Sequence, residues 1–241
     1  MVNNTIGLRM KDDIMFKAFF SKKGHEEFLE DFIGSILGER VKVAQVVHDA
    51  RLEQISKDEK YGVLDLDVEL ENGKKINLEM QIRDLYNIEK RTTFYAGKKI
   101  SEQLGGENRY YKDLKNVIII AILNYSFIPY EDYVNKTVRV LENHKEYKIN
   151  NEVAYYYIEL DKFRKNNPDM TEKLKQWLAF LDRERCDLLE MAKKENNLVN
   201  KADKEYNVLT GDAELRRLAE IRLMSDLEVN SALELAKAEG G

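Results

Sequence analysis

The stretch that decides the fold, residues 61–82, reads YGVLDLDVELENGKKINLEMQI. Apolar and polar residues alternate along it on both sides of Asn72 and Gly73, which is the pattern of two half-buried β-strands joined by a tight turn. A two-residue turn at Asn72-Gly73 would set polar side chains opposite the apolar face of the partner strand. A three-residue loop at 71–73, with Gly73 in the left-handed conformation, avoids this conflict. The sequence therefore predicts a β-hairpin with a three-residue loop.

This register brings two acidic side chains together. Leu66 lies opposite Leu78, and one position earlier Asp65 lies opposite Glu79. Directly opposed side chains are about 5 Å apart, so two carboxylates would share one spot on the polar face of the hairpin. Three explanations for this arrangement stay open: solvent screens the charges, one carboxylate takes up a proton, or a cation lies between them. Two carboxylates, a backbone carbonyl and water would suit Mg²⁺.

The composition is that of a folded globular protein. Of the 241 residues, 43% are hydrophobic and 34% are charged, which supports a sizeable core and argues against intrinsic disorder. Cys186 is the only cysteine and the three histidines are scattered, so a disulfide framework and a Cys/His zinc site are excluded. We expect Cys186 to be a buried thiol. No export signal or membrane-length apolar run is seen, which favours a soluble cytoplasmic protein.

Helical and extended patterns surround the hairpin. In chain order they predict a short helix capped by Asp12 or Asp13, a helix at 25–37 ended by Gly38, an extended segment at 41–53, a helix at 85–103, and strands at 116–124, 137–141 and 153–160. The run 116–124 is almost unbroken apolar and β-branched, which indicates a strand buried on both faces. After Pro168 the pattern is helical. We therefore expect a core at 1–165 and a helical region at 166–241, whose helices would pack on the core, form a homo-oligomer or contact a partner.

One helix is a candidate for phosphate contact. Along 85–103 the side chains of Arg91, Tyr95, Lys99 and Gln103 recur every four residues and share a face. Residues 83–115 hold eight basic and five acidic residues, although the whole chain has a formal net charge of -5. Any nucleic-acid binding must therefore depend on such a local surface. The alternative interpretation is an ordinary solvated helix face.

The order helix, three strands, helix, strand resembles the PD-(D/E)XK nuclease superfamily, and within it the PD-(D/E)XK nuclease family transposases, or recombination-promoting nucleases. Four motifs carry the resemblance. KDDIMFK at 11–17 is similar to an N-D-x-x-F-K opening with Asp12 replacing Asn, and GVLD at 62–65 contains the motif aspartate. NLEMQ at 77–81 is similar to an E-x-Q element, and 91–103 followed by 110–124 resembles the helix and strand that come next. The resemblance implies an α/β fold with a restriction-endonuclease-like αβββαβ core and a mixed sheet, to which the C-terminal helical region is added.

The resemblance also implies a metal site. In the superfamily the aspartate and the glutamate bind a divalent metal, which here means Asp65 and Glu79, with the Met80 carbonyl as a third ligand. The expected cofactor is Mg²⁺, with Mn²⁺ as an alternative. Gln81 stands where the superfamily has a lysine. Glutamine can orient a water molecule by hydrogen bonding but carries no charge.

The implied activity is metal-dependent endonucleolytic cleavage of DNA in recombination or transposition. Catalysis would involve Asp65, Glu79 and Gln81. The residues expected to contact DNA are Lys17, Arg91, Tyr95, Lys99 and Gln103. Asp13 would either support the metal-side network or act as a helix N-cap. Two alternatives stay open: a catalytically weak or inactive nucleic-acid-binding relative, and an interaction domain whose acidic hairpin is merely solvated.

Overall fold

The structure, a computed structural model, describes residues 8–47, 65–84, 86–104, 110–149 and 152–239. In chain order its elements are α1 (Asp13–Ser21), α2 (Glu26–Leu37), β1 (Val43–Val47), β2 (Leu66–Leu70), β3 (Lys75–Gln81), α3 (Ile88–Gln103), β4 (Val117–Leu123), β5 (Val134–Lys136), β6 (Val140–Leu141), β7 (His144–Lys148), β8 (Val153–Glu159), α4 (Leu160–Lys165), α5 (Lys173–Asp182), α6 (Cys186–Glu195), α7 (Asn197–Leu209) and α8 (Ala213–Glu239). Six strands form one mixed sheet in the order β1-β2-β3-β4-β8-β5, and β6 pairs with β7 separately. The predicted α/β class and αβββαβ core order are confirmed, the core being α2-β1-β2-β3-α3-β4.

The hairpin has the predicted register. β2 and β3 are antiparallel, and Leu66 pairs with Leu78. Gly73 has φ 84°, a left-handed conformation that glycine adopts without steric cost. Its amide donates a hydrogen bond of 2.8 Å to the Leu70 carbonyl, which closes the three-residue loop. Asp65 comes directly before β2, one position beyond the Leu66–Leu78 pair.

Three parallel strands bring their carboxyl ends to one edge of the sheet. β4 runs parallel to β3 and to β8, so that Gln81, Leu123 and Glu159 lie side by side. All seven residues of β4 are buried, which confirms the prediction of a strand covered on both faces. In open α/β sheets, ligand sites form at such carboxyl ends.

The two faces of the sheet are covered by different helices. On one face, α1, α2 and α5 pack in a large core in which Trp177 lies 6.3 Å from Phe20 and 6.0 Å from Phe32, measured between ring centroids. On the other face, Ile88 and Ala96 of α3 belong to smaller apolar clusters on β4 and β8. α3 also covers part of the polar side of the hairpin: Asn77 and Glu79 are buried, whereas Asp67 and Glu69 keep 25% and 35% of their side-chain surface exposed.

The helices that follow Pro168 share the core of the N-terminal helices. Trp177 of α5 and Leu188 of α6 belong to the same apolar cluster as Phe16 of α1. Within the described residues from 166 onward the regular elements are helices, and the division into a core and a helical region, like an oligomer formed by these helices, stays a prediction. No described helix is long and apolar enough to cross a membrane.

Three details differ from the sequence predictions. The strand expected at 137–141 is present only in its last two residues, as β6 (Val140–Leu141), because the chain first leaves β5 at Lys136 and then enters the β6–β7 hairpin. Cys186 is exposed rather than buried, since Leu188 and Leu189 occupy the buried side of α6. The extended segment is β1 at Val43–Val47, and its continuation from 48 to 53, like Leu85 of the predicted helix, lies outside the described residues.

Candidate active site

The candidate site lies where β2 begins and β3 ends. Side chains of β3 alternate, so Leu78 and Met80 enter the large core whereas Glu79 and Gln81 face α3. The negative charge of Glu79 acts on Asp65, which belongs to the same side of the hairpin. The structure therefore brings together the two carboxylates that the register predicted to meet.

Burial makes both carboxylates hard to ionise. Burial, followed by the charge of Glu79, raises the pKa of Asp65 to about 7. Glu79 exposes 0% of its surface, and burial raises its pKa although the Arg91 guanidinium works in the opposite direction. Solvent screening is therefore excluded as the explanation for Glu79, whose charge can be balanced by the Arg91 guanidinium, by protonation or by a bound cation.

Several buried oxygens of the site have no hydrogen-bond partner among the residues that the structure describes. Arg91 donates from Nε and Nη2 to Glu79 Oε1, at 3.1 and 2.5 Å. Within the described residues, Glu79 Oε2, Asp65 Oδ1 and Gln81 Oε1 are buried and accept no hydrogen bond. Each such group costs about 1–3 kcal/mol of stability, so natural structures retain few of them without a reason. Oxygen acceptors of this kind are the ligands that Mg²⁺ prefers.

The backbone of β3 supplies a further oxygen on the same side. Lys75 N donates to the Asn116 carbonyl and the Gln81 carbonyl accepts from Asn124 N, both at 2.9 Å, so the odd residues of β3 bond to β4. By the alternation of strand backbone groups, the Met80 carbonyl faces β2, the strand that Asp65 precedes. No group of three or more His, Cys, Asp or Glu side chains that could hold a metal occurs among the described residues. Two carboxylates, one amide oxygen, one carbonyl and water nevertheless fit a hard divalent cation.

A third carboxylate, Asp67, was not among the predicted site residues. Its Oδ1 accepts a 2.9 Å hydrogen bond from Asn77 Nδ2, and its Oδ2 lies 2.7 Å from Lys99 Nζ. Burial works to lower the pKa of Lys99, but the hydrogen bond and charge of Asp67 raise it above its ordinary value. Lys99 is thus a fixed positive charge. The signal in the sequence was the spacing, since Asp67 follows Asp65 by two residues and shares its face.

The predicted face of α3 points inward. Arg91 and Lys99 contact carboxylates, and Tyr95 is half-buried beside them, its pKa raised to about 12 by burial and by the charge of Asp65. Gln103 is not brought to the carboxylates: its side chain donates to the Lys115 carbonyl at 3.1 Å and accepts from Lys115 N at 2.8 Å. Gln103 therefore ties the end of α3 to the start of β4, and the DNA contacts assigned to this face stay predictions.

Two predicted residues of α1 lie apart from the carboxylates in the described contacts. Lys17 is buried, with 2% of its surface exposed, so its side chain is not on an open surface. Asp13 Oδ1 accepts from Ile14 N at 2.9 Å, and its Oδ2 lies 3.2 Å from Arg222 of α8. Asp13 thus links α1 to α8, and the roles predicted for both residues in DNA contact and metal support stay predictions.

Sequence reasoning missed a buried ionic network next to Gln81. Asn124, whose amide donates to the Gln81 carbonyl, accepts hydrogen bonds from Lys11 Nζ at 3.3 Å and from Arg164 Nη1 at 2.9 Å. Lys11 also contacts Glu184, and Arg164 contacts Asp182. Burial raises the pKa of Asp182 against the opposing charge of Arg164. This network holds the end of β4 against the end of β3 and so supports the position of Gln81.

Comparison with known proteins gives one match. The family model described as PD-(D/E)XK nuclease family transposase matches residues 10–236. Neither the curated proteins nor the solved structures that were compared contain a match. The matched range covers nearly the whole chain and includes both carboxylates of the hairpin, Gln81 and α3. The chain therefore belongs to the PD-(D/E)XK nuclease family transposases.

Proposed function

We propose that the protein is a divalent-metal-dependent endonuclease that hydrolyses phosphodiester bonds of DNA, with Mg²⁺ or Mn²⁺ as cofactor, in recombination or transposition. Membership of the family supports a nuclease- or transposase-related role. The observation that carries the proposal is the set of buried oxygens on Asp65, Glu79 and Gln81 that accept no hydrogen bond from the described residues. Such oxygens are costly in a purely structural site and useful in a cation site.

The charges of the site support one divalent cation and one phosphodiester. Asp65, Asp67 and Glu79 provide three negative charges when ionised, and Arg91 and Lys99 provide two positive ones. The sum of -1 repels a phosphate, whereas adding one divalent ion changes it to +1 and matches the single charge of a phosphodiester. We therefore expect cleavage, and the engagement of DNA at these carboxylates, to need the cation.

The residues of the site fall into two groups in this proposal, oxygen ligands for the ion and cations for the phosphate. The oxygens of Asp65, Glu79, Gln81 and the Met80 carbonyl would hold the ion, which when bound supplies Lewis-acid polarisation and an acidified water. Arg91 uses Nε and Nη2 on Glu79 Oε1, so its remaining N–H groups are able to donate to a phosphate oxygen. Gln81 can orient a water but brings no charge. Arg91 and Lys99 therefore supply the positive charge that a lysine at position 81 would have supplied.

Cleavage of supercoiled plasmid with Mg²⁺ or Mn²⁺ tests the proposal. We expect nicking by the wild type that is lost in Asp65→Ala and Glu79→Ala, is reduced less in Gln81→Ala, and is retained in the exposed-loop control Asp132→Ala. Circular dichroism would verify that each variant is folded. Cleavage that persists in Asp65→Ala or in EDTA would refute the assignment of the site.

A second function is favoured by one observation, the glutamine at the lysine position. A relative that binds DNA but does not cut it would keep the fold and the cation site. In that case, DNA binding would be robust and cleavage absent with either metal. The same plasmid experiment, combined with a gel-shift measurement, separates the two functions.

A further inference from the structure

A groove of about 360 Å³ lies at the opposite edge of the sheet from the candidate active site. It is bounded by the end of α2, the β2–β3 loop, the starts of β4 and β8, and the β6–β7 hairpin. Among the described residues its basic lining side chains are Lys74, Lys136, Arg139 and Lys148, and Glu39 is the acidic one. This volume is at the lower end of the range for small-molecule sites, roughly 300–1,000 Å³.

Two of the four cations are not balanced by a carboxylate. Lys74 contacts Glu39, and Arg139 lies 3.5 Å from Glu152. Lys136 Nζ instead lies over an aromatic ring, 5.1 Å from the centroid of Tyr156, and is exposed on β5. Lys148 is exposed on β7, and neither lysine forms an ion pair within the described part of the chain. In a chain of net charge -5, an unbalanced positive pair around a concave surface favours an anionic ligand.

The groove is separate from the carboxylate site. Lys75 and Val117 pair at the groove end of the sheet, and Glu79 follows Lys75 by four residues, a distance of about 13 Å along a strand. Tyr156 belongs to the face packed on α1 and α2, whereas Glu79 faces α3. The lysines of the groove therefore cannot serve the chemistry at Asp65 and Glu79.

We propose that this groove binds the phosphate group of a nucleotide unit, either free or within a nucleic-acid strand. Lys136 and Lys148 would contact the phosphate, since lysine binds phosphate as a mobile point charge. Apolar side chains at the floor, including Leu37, Ile118 and Ala154, would accommodate the sugar or base. The proposal concerns binding alone and holds whether or not the chain cleaves DNA.

The test is the affinity for a fluorescein-labelled oligo(dT) strand, measured by fluorescence anisotropy in EDTA so that no divalent cation takes part. The variant Lys136→Gln/Lys148→Gln removes the two unbalanced charges. Each phosphate contact with a single strand contributes about 0.7 to the slope of log affinity against log salt concentration. Losing the two lysine–phosphate contacts should therefore reduce the slope by about 1.4, which corresponds to binding about 25-fold weaker near 0.1 M salt. The matched control Lys145→Gln/Lys194→Gln changes charge equally at exposed lysines outside the groove.

The outcomes separate the sources of the phosphate and the possible failures. Competition by unlabelled dTMP that is lost in Lys136→Gln/Lys148→Gln would identify a free nucleotide as the ligand; strand binding without dTMP competition would identify a nucleic acid. Equal weakening by the control pair would overturn the proposal, because it would indicate only a general charge effect. Competition by polyglutamate as strong as that by dTMP would also overturn the proposal. Both double variants change exposed side chains, and matching circular dichroism spectra would verify that they are folded.

Discussion

Replacing Asp65 with asparagine should stabilise the metal-free protein at alkaline pH. The substitution keeps the shape of the side chain and removes the titrating carboxyl group. Burial and the charge of Glu79 raise the pKa of that carboxyl group from 3.8 to about 7. The folded protein therefore holds this proton more tightly than the unfolded chain does. The stability that this group contributes is complete below about pH 4 and is lost as the pH rises through 7.

The size of this stability difference follows from the pKa shift of Asp65. One pKa unit corresponds to about 1.36 kcal/mol, so a rise of about three units costs the ionised folded protein up to roughly 4 kcal/mol. Asp65 keeps some contact with solvent, which screens part of this cost, and we expect about 2–4 kcal/mol at pH 8. At pH 4 most of the difference should vanish, because the carboxyl is then protonated in the folded protein.

Urea unfolding in EDTA at pH 4 and pH 8 measures this difference. Asp65→Asn should exceed the wild type in free energy of unfolding at pH 8 and approach it at pH 4. The exposed control Asp132→Asn should show no such divergence. Mg²⁺ or Mn²⁺ at about 100 times its dissociation constant should raise the free energy of unfolding of the wild type by about 2.7 kcal/mol. Asp65→Asn should show no such increase. A difference that is equal at both pH values would refute the reasoning.

Three further predictions concern the structure around the site. Arg91→Gln should lower the free energy of unfolding by about 2–4 kcal/mol, because it leaves the buried Glu79 carboxylate unpaired. The control is Lys98→Gln on the exposed side of α3, and an equally small loss in both variants would contradict the Arg91–Glu79 pairing. Trp177→Ala should cost about 3–5 kcal/mol in the same assay, and an unfolding transition of residues 166–241 separate from the rest would argue against the shared core. Gly73→Ala should cost about 1–2 kcal/mol because of its positive φ, and thermal unfolding with no loss would mean that the loop relaxes.

Local patterns were sufficient to predict the hairpin and the strands next to it. Period-2 alternation and one glycine determine which residues of β2 and β3 can pair, because any slip of one residue moves apolar side chains to the wrong face. The approach of Asp65 to Glu79 follows from that register. The unbroken apolar run of β4 likewise indicates burial on both faces, and Gly38, with φ 72°, ends α2 as expected.

The direction of α3 required the packed structure. Its periodicity shows that Arg91, Tyr95, Lys99 and Gln103 share a face but not what the face meets. The crossover between β3 and β4 lays that face on the hairpin, so that Arg91 and Lys99 neutralise carboxylates and Gln103 bonds to the backbone of Lys115.

The sequence by itself thus determined the strand register and the meeting of two carboxylates, because these depend on neighbours within about 20 residues. Only the tertiary structure decided that α3 buries Glu79, that Lys99 pairs with Asp67, and that Lys11 and Arg164 support Gln81. These contacts join residues more than 30 positions apart, and no local periodicity encodes them. Their physical origin is the cost of burying charge, because a buried carboxylate such as that of Glu79 or Asp182 is stabilised by a cation that the fold brings close.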